Sequence, residues 1–107
     1  MLDAMVHDVL VVEDEEDIAV PLMRTLEREG YEVTRVSGGA EAVSFVVDEG
    51  PAVVILDLGL PDMDGKDVIA RIREWSDAPI IVLSARDLEA EKIAALDLGA
   101  DDFVNKP

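Results

Sequence analysis

Four apolar runs in this chain each give way abruptly to polar side chains. Val9-Leu10-Val11-Val12 leads into Glu13-Asp14, and Val53-Val54-Ile55-Leu56 into Asp57. Ile80-Ile81-Val82-Leu83 leads into Ser84, and Phe103-Val104 into Asn105-Lys106-Pro107. Short unbroken runs rich in Val and Ile predict strands buried on both faces. The segments between them carry helical spacing. Ile18, Leu22, Met23 and Leu26 share one face of a helix expected over 16–29, with Gly30 as its stop. Pro21 lies inside that helix, lacks a backbone donor, and should kink it or push its regular part later. Further helices are expected over 40–48, 66–75 and 88–98, and a strand over 32–36. Val68, Ile69 and Ile72 mark the inward face of the third helix, and Gly99 stops the fourth.

The resulting order is (βα)₄β in one small domain, residues 1–107, with no repeat and no linker. Met1 to Ala4 precede Met5, which reads as the natural start. Short connections predict a parallel sheet with helices on both faces, the flavodoxin-like doubly wound α/β fold. In the strand order 2-1-3-4-5, ligands bind at the carboxyl ends of strands one and three. Those are the strands that end on Glu13-Asp14 and Asp57, and this coincidence favours that order.

Composition narrows the function. Of 107 residues, 25 are acidic and 9 basic, giving a net charge of -16. That surface repels nucleic acid and anionic membranes, so any DNA binding belongs to another domain or a partner. The chain has no cysteine, no membrane-length apolar run and no readable signal peptide, and we expect it in the cytoplasm.

Three carboxylates on one rim repel one another, and a hard divalent cation relieves this. Mg²⁺ suits oxygen ligands and keeps several waters. Glu13-Asp14 alone read equally well as a helix cap. Asp57 on the neighbouring strand favours the metal. Asp57 follows four apolar residues, so it is held rigidly and partly desolvated, as a carboxylate nucleophile for a phosphoryl group would be. Lys106 and Ser84 would neutralise and hydrogen-bond the phosphoryl oxygens. Each alone is a surface lysine or a turn serine, and only their convergence makes them functional candidates. Four other residues carry structural expectations. Trp75 should pack against its loop, Met63 should be exposed, Asp64 should cap a helix, and Gly65 should supply backbone freedom. Lone His7 precedes the first strand, away from the rim.

These motifs resemble the receiver domain of two-component response regulators. The resemblance rests on Val11-Val12-Glu13-Asp14-Glu15, Leu56-Asp57-Leu58-Gly59-Leu60-Pro61-Asp62-Met63-Asp64-Gly65, and Val82-Leu83-Ser84-Ala85-Arg86. It extends through Gly99-Ala100-Asp101-Asp102-Phe103 and Lys106-Pro107, and covers nearly the whole chain from residue 8. The style is that of the OmpR/PhoB class, and the stretch from Asp57 to Asp102 resembles the KdpE type. The resemblance implies a CheY-like fold that acts in signalling and not as an enzyme, beyond self-phosphorylation and slow autodephosphorylation. It implies that Asp57 is the phospho-acceptor. It also implies that Glu13, Asp14, Asp57 and the Gly59 carbonyl hold Mg²⁺, and that Ser84 and Phe103 are switch residues. Lys106 matches the family's lysine, and the Lys106-Pro107 bond is a candidate cis peptide.

The implied partners are a sensor histidine kinase and a second copy bound through the fourth helix and fifth strand. Lys92, Asp97, Asp101 and Asp102 are that face's candidate ion-pair members. Such domains continue past Lys-Pro into a fifth helix, whereas this sequence stops at Pro107. The expectation is an exposed apolar patch and a marginal or self-associating fragment.

Three rival readings fit less well. A haloacid-dehalogenase-like phosphatase needs an Asp two residues after the nucleophile, where Gly59 stands. A flavodoxin-like flavin module needs a phosphate cradle after the first strand, where Glu13 to Asp17 would repel it. A receiver-like interaction module that takes no phosphate would have no use for the near-complete set of groups.

Overall fold

The computed structural model describes residues 7–85 and 88–106. The strands are β1 (Asp8–Val12), β2 (Glu32–Val36), β3 (Val53–Leu56), β4 (Ile80–Ser84) and β5 (Asp102–Asn105). The helices are α1 (Glu16–Arg28), α2 (Gly39–Glu49), α3 (Gly65–Arg73) and α4 (Glu89–Asp97). All strand pairs are parallel, in the order β2-β1-β3-β4-β5. The expected topology is therefore present, with β3, the most continuous β-branched run, at the centre. The candidate cis bond, Arg86 and Met1 to Ala4 fall wholly or partly outside the described residues.

Alternation along the strands assigns two faces. Leu10, Val12, Val54, Leu56, Ile80 and Val82 point to one face and are fully buried there. They pack with Ala42 and Val46 of α2, Val68, Ile69 and Ile72 of α3, and Ala95 of α4. Val9 and Val11 are buried on the opposite face. Further across that face, Ile81 and Leu83 are only half-buried and Val104 is 43% exposed. Among the described residues, α4 and its flanks also present Leu88, Ile93, Leu96 and Leu98 to solvent.

Helix α1 begins at Glu16 and runs through Pro21 without interruption, so its regular part is not displaced. Proline at the sixth helical position withholds one backbone donor. The Pro21 carbonyl accepts from Thr25 Oγ1 at 3.0 Å. Gly30, at φ 96°, takes the left-handed conformation that ends the helix. Trp75 is 66% exposed and does not pack away as expected.

Gly65 is required by close approach and not by backbone freedom, since its φ is not positive. A Cβ there would lie 2.6 Å from Leu58 Cα and 2.9 Å from the Asp57 carbonyl oxygen. Both are backbone atoms, so the start of α3 would have to move away from the end of β3. Gly65→Ala should therefore destabilise the domain by about 2 kcal/mol, as overpacking does. Urea unfolding checks this, and the midpoint should fall without a change in slope.

Candidate functional site

The hydrogen-bond ladder of the sheet continues past the strands into the candidate site residues. Glu13 N donates to Val36 O at 3.1 Å, and Asp57 N donates to Val12 O at 3.0 Å. Lys106 N donates to Ser84 O at 2.8 Å. Because Val12 lies opposite Leu56, the next residues, Glu13 and Asp57, are neighbours. Ser84 lies opposite Asn105 on the adjoining pair, which brings Lys106 to the same rim. The register thus converts four separate strand ends into one constellation.

Glu13, Asp57 and Ser84 are buried there, while Asp14 is exposed. One oxygen from each of Glu13, Asp14 and Asp57 lies within 4.8 Å of the others. Lys106 Nζ stands 2.8 Å from Glu13 Oε1 and 3.4 Å from Asp57 Oδ1. The Glu13 contact is an ion pair that is poorly aligned as a hydrogen bond, so Oε1 is buried without a well-directed donor. Glu13 Oε2 accepts from Glu15 N at 3.2 Å. Asp14 does not cap α1, since Glu15 occupies the N-cap position and provides no side-chain bond. The donor set fits a hard cation: three carboxylates, one of them with an under-used buried oxygen.

Burial pushes the Glu13 carboxyl above its ordinary value of 4.5. The Lys106 and Glu15 contacts oppose this, and the Asp57 charge reinforces it. Burial alone would lower the Lys106 ammonium, but the Glu13 and Asp57 contacts outweigh it and hold it above 10.5. Ion pairing therefore wins over desolvation for the lysine, and desolvation wins for the acid.

Two loop acids behave differently from the cluster. Asp64 caps α3, accepting from Lys66 N at 2.9 Å, as expected. Asp62 reaches across to α2 and accepts from Gly39 N at 2.8 Å and Ala40 N at 3.1 Å. These two backbone donors hold its carboxyl below the usual range. Asp62 thus caps a helix in another part of the chain, a role sequence spacing does not signal. Met63 follows it inward, over Gly39 and against the core, instead of lying exposed. Both contacts pin the loop that carries Gly59, where a Cβ would lie 3.7 Å from Asp57 Oδ2.

Phe103 is half-buried beside Val82, on the sheet face that Ser84 shares. Of the candidate face residues, Asp101 is already engaged internally. It accepts from Arg73 Nη2 at 2.9 Å and Ile80 N at 2.8 Å. Lys92, Asp97 and Asp102 are exposed. His7 is exposed at the opposite end of β1. Sequence reasoning also missed two cations. Lys66 pairs with Glu91 at 2.7 Å, tying α3 to α4, and Arg35 is bound to the loop after β1.

Residues 9–107 match the response regulator receiver domain family. The chain belongs to that family. This receiver domain is 52% identical over 99 residues to the transcriptional regulatory protein KdpE of Mycobacterium tuberculosis (strain CDC 1551 / Oshkosh), covering 92% of this chain and 44% of that protein. It is 48% identical over 99 residues to the sensory transduction protein RegX3 of Mycolicibacterium smegmatis, covering 92% and 43%. The receiver domain thus spans less than half the length of these relatives. A solved response regulator from Burkholderia pseudomallei, described with a phosphorylated aspartic acid and a calcium ion, superposes with a TM-score of 0.89. It is 33% identical, over 94% of this chain and 60% of that one. No described helix is long and apolar enough to cross a membrane.

The electrostatics of the receiver domain's rim make a prediction. Below pH 4.5 Glu13 is protonated folded or unfolded, so it contributes nothing to stability there. As pH rises through its raised folded value, its ionisation costs stability. Lys106 opposes that cost, and its own contribution persists until pH passes 10.5 and is then lost. Lys106→Met should destabilise the domain by about 3 kcal/mol at neutral pH, because buried acids lose their partner. Chemical unfolding across pH should show the deficit shrinking as pH falls towards 4.5.

Proposed function

We propose that this receiver domain accepts a phosphoryl group on Asp57 from the phosphohistidine of a sensor histidine kinase. The observation that carries the reading is Lys106 Nζ between Glu13 and Asp57, 3.4 Å from Asp57 Oδ1, beside the buried Ser84. A carboxylate with an ammonium at that distance can attack while the charge arriving on the phosphoryl oxygens is neutralised. Asp57 attacks phosphorus in line, a P–O bond forms, and the P–N bond to the donor imidazole breaks as that ring leaves. Glu13, Asp14, Asp57 and the Gly59 carbonyl would hold Mg²⁺. When bound, the cation offsets the negative charge that these acids and the phosphoryl group bring together. Water attack on phosphorus later breaks the same P–O bond and returns the carboxylate, so the domain hydrolyses its own phosphate slowly and turns over no other substrate.

Switching follows from the new charge. Ser84 donates a hydrogen bond to a phosphoryl oxygen, and Phe103 moves into the space vacated. Phe103 lacks a hydroxyl, so it contributes volume and no hydrogen bond. Together they bias a pre-existing equilibrium of the α4-β5 surface. In the full-length protein that surface pairs with a second copy, using the exposed Ile93 and Leu96. With its net charge of -16, the domain leaves DNA binding to the rest of a cytoplasmic regulator.

Acetyl phosphate with Mg²⁺ provides the test, read by intact mass. The protein should gain one phosphoryl group, chelation should prevent it, and Asp57→Asn should abolish it. Undiminished labelling of Asp57→Asn would refute the assignment.

A further inference from the structure

Among the described residues, Arg35 is a cation beside the acidic rim that the reading above leaves without a task. It sits near the end of β2, opposite Val11 of β1. Its Nε donates to the Glu13 carbonyl at 3.0 Å, and its Nη2 donates to the Asp14 carbonyl at 3.1 Å. Nε and Nη2 form one edge of the planar guanidinium, so the two bonds are a fork onto two successive peptides. The remaining terminus, Nη1, lies 3.9 Å from Glu16 Oε1, a loose pair whose Glu16 member is largely exposed. The strong contacts of Arg35 therefore go to backbone, and specifically to the backbone of the two acids that follow β1.

This placement has a physical consequence. Beyond the Glu13 N bond to Val36 O, strand pairing ends and the chain turns towards α1. Among the described residues, the Glu13 and Asp14 carbonyls accept from no backbone donor beyond the strands. Clamping both fixes the two peptides that aim the side chains, with Glu13 inward to Lys106 and Asp14 outward to solvent. We propose that Arg35 is a positioning residue for the cation site. Its fork holds Glu13 and Asp14 in the arrangement that binds Mg²⁺, and so sets the Mg²⁺ requirement for phosphoryl uptake at Asp57. The inference rests on the functional reading above.

The opposite effect is also physically available, since a guanidinium near the site repels a divalent cation. The two effects differ in sign and in their dependence on the fork. Lysine at position 35 keeps the charge but cannot span both carbonyls, and methionine removes charge and fork together.

The test is Mg²⁺ titration of the wild type, Arg35→Lys, Arg35→Met and Glu16→Gln. It is read calorimetrically and as the Mg²⁺ concentration giving half-maximal labelling by acetyl phosphate. Both Arg35 variants should bind Mg²⁺ about tenfold more weakly, the size typical of lost supporting contacts at metal sites. Their labelling rate at saturating Mg²⁺ should match the wild type, which general loss of structure would not allow. Glu16→Gln should behave as wild type. Wild-type affinity in Arg35→Lys, or unchanged or tighter binding in Arg35→Met, overturns the proposal. A wild type that binds no Mg²⁺ overturns the metal reading itself, and this inference with it.

Discussion

The parallel hydrogen-bond ladder is the constraint on which the site depends. It does not stop where the apolar runs stop. Glu13 N, Asp57 N and Lys106 N each continue the pairing by one bond, to Val36, Val12 and Ser84. A backbone bond of that kind is a modest contribution to stability, but it fixes position closely. Three strand ends locked in register deliver their next side chains to one rim, whatever those side chains are. Here two of the three are acids, Glu13 and Asp57, and the fold must then accommodate like charges in a buried place. The Lys106 ammonium answers part of this, while burial, reinforced by the Asp57 charge, still raises the proton affinity of Glu13. An acidic site left short of positive charge is well suited to take up a cation.

Around the rim, the loops are tied down by contacts between distant segments. Asp62 caps α2, Asp64 caps α3, Gly65 lets α3 lie against Leu58, and Arg35 clamps the turn after β1. None of these groups belongs to the acidic cluster, yet each restrains a segment that carries one of its members. The sheet face that carries Val9 and Val11 is less complete. Val104 is exposed and Leu83 half-buried there, so the site rests on one well-packed face and one open one.

The strands and the acids were legible in the sequence because both are local signals. Val53 to Leu56 followed by Asp57 reads directly as a buried strand with a carboxylate at its end. Topology became legible through chemistry, since only one common strand order makes Glu13-Asp14 and Asp57 adjacent. Contacts between remote positions were not legible. Asp62 meets Gly39 and Arg35 meets Glu13, each pair more than twenty residues apart, and no periodicity encodes such a meeting. The later start allowed for at Pro21 and the packing expected of Trp75 were misjudged for a related reason. Local rules say that proline disturbs a helix and that tryptophan packs, but α1 still begins at Glu16 and Trp75 stays 66% exposed.

The central claim is geometric: Asp57 is the carboxylate that bonds the phosphoryl group, with Lys106 facing it. A crystal structure with Mg²⁺ and beryllofluoride, which mimics an acyl phosphate, tests it most directly. The account predicts beryllium bonded to an Asp57 oxygen, a fluorine ion-paired to Lys106 Nζ, and Mg²⁺ touching Asp14. Beryllium on Glu13 or Asp14, or Lys106 turned away from the fluorines, would contradict it.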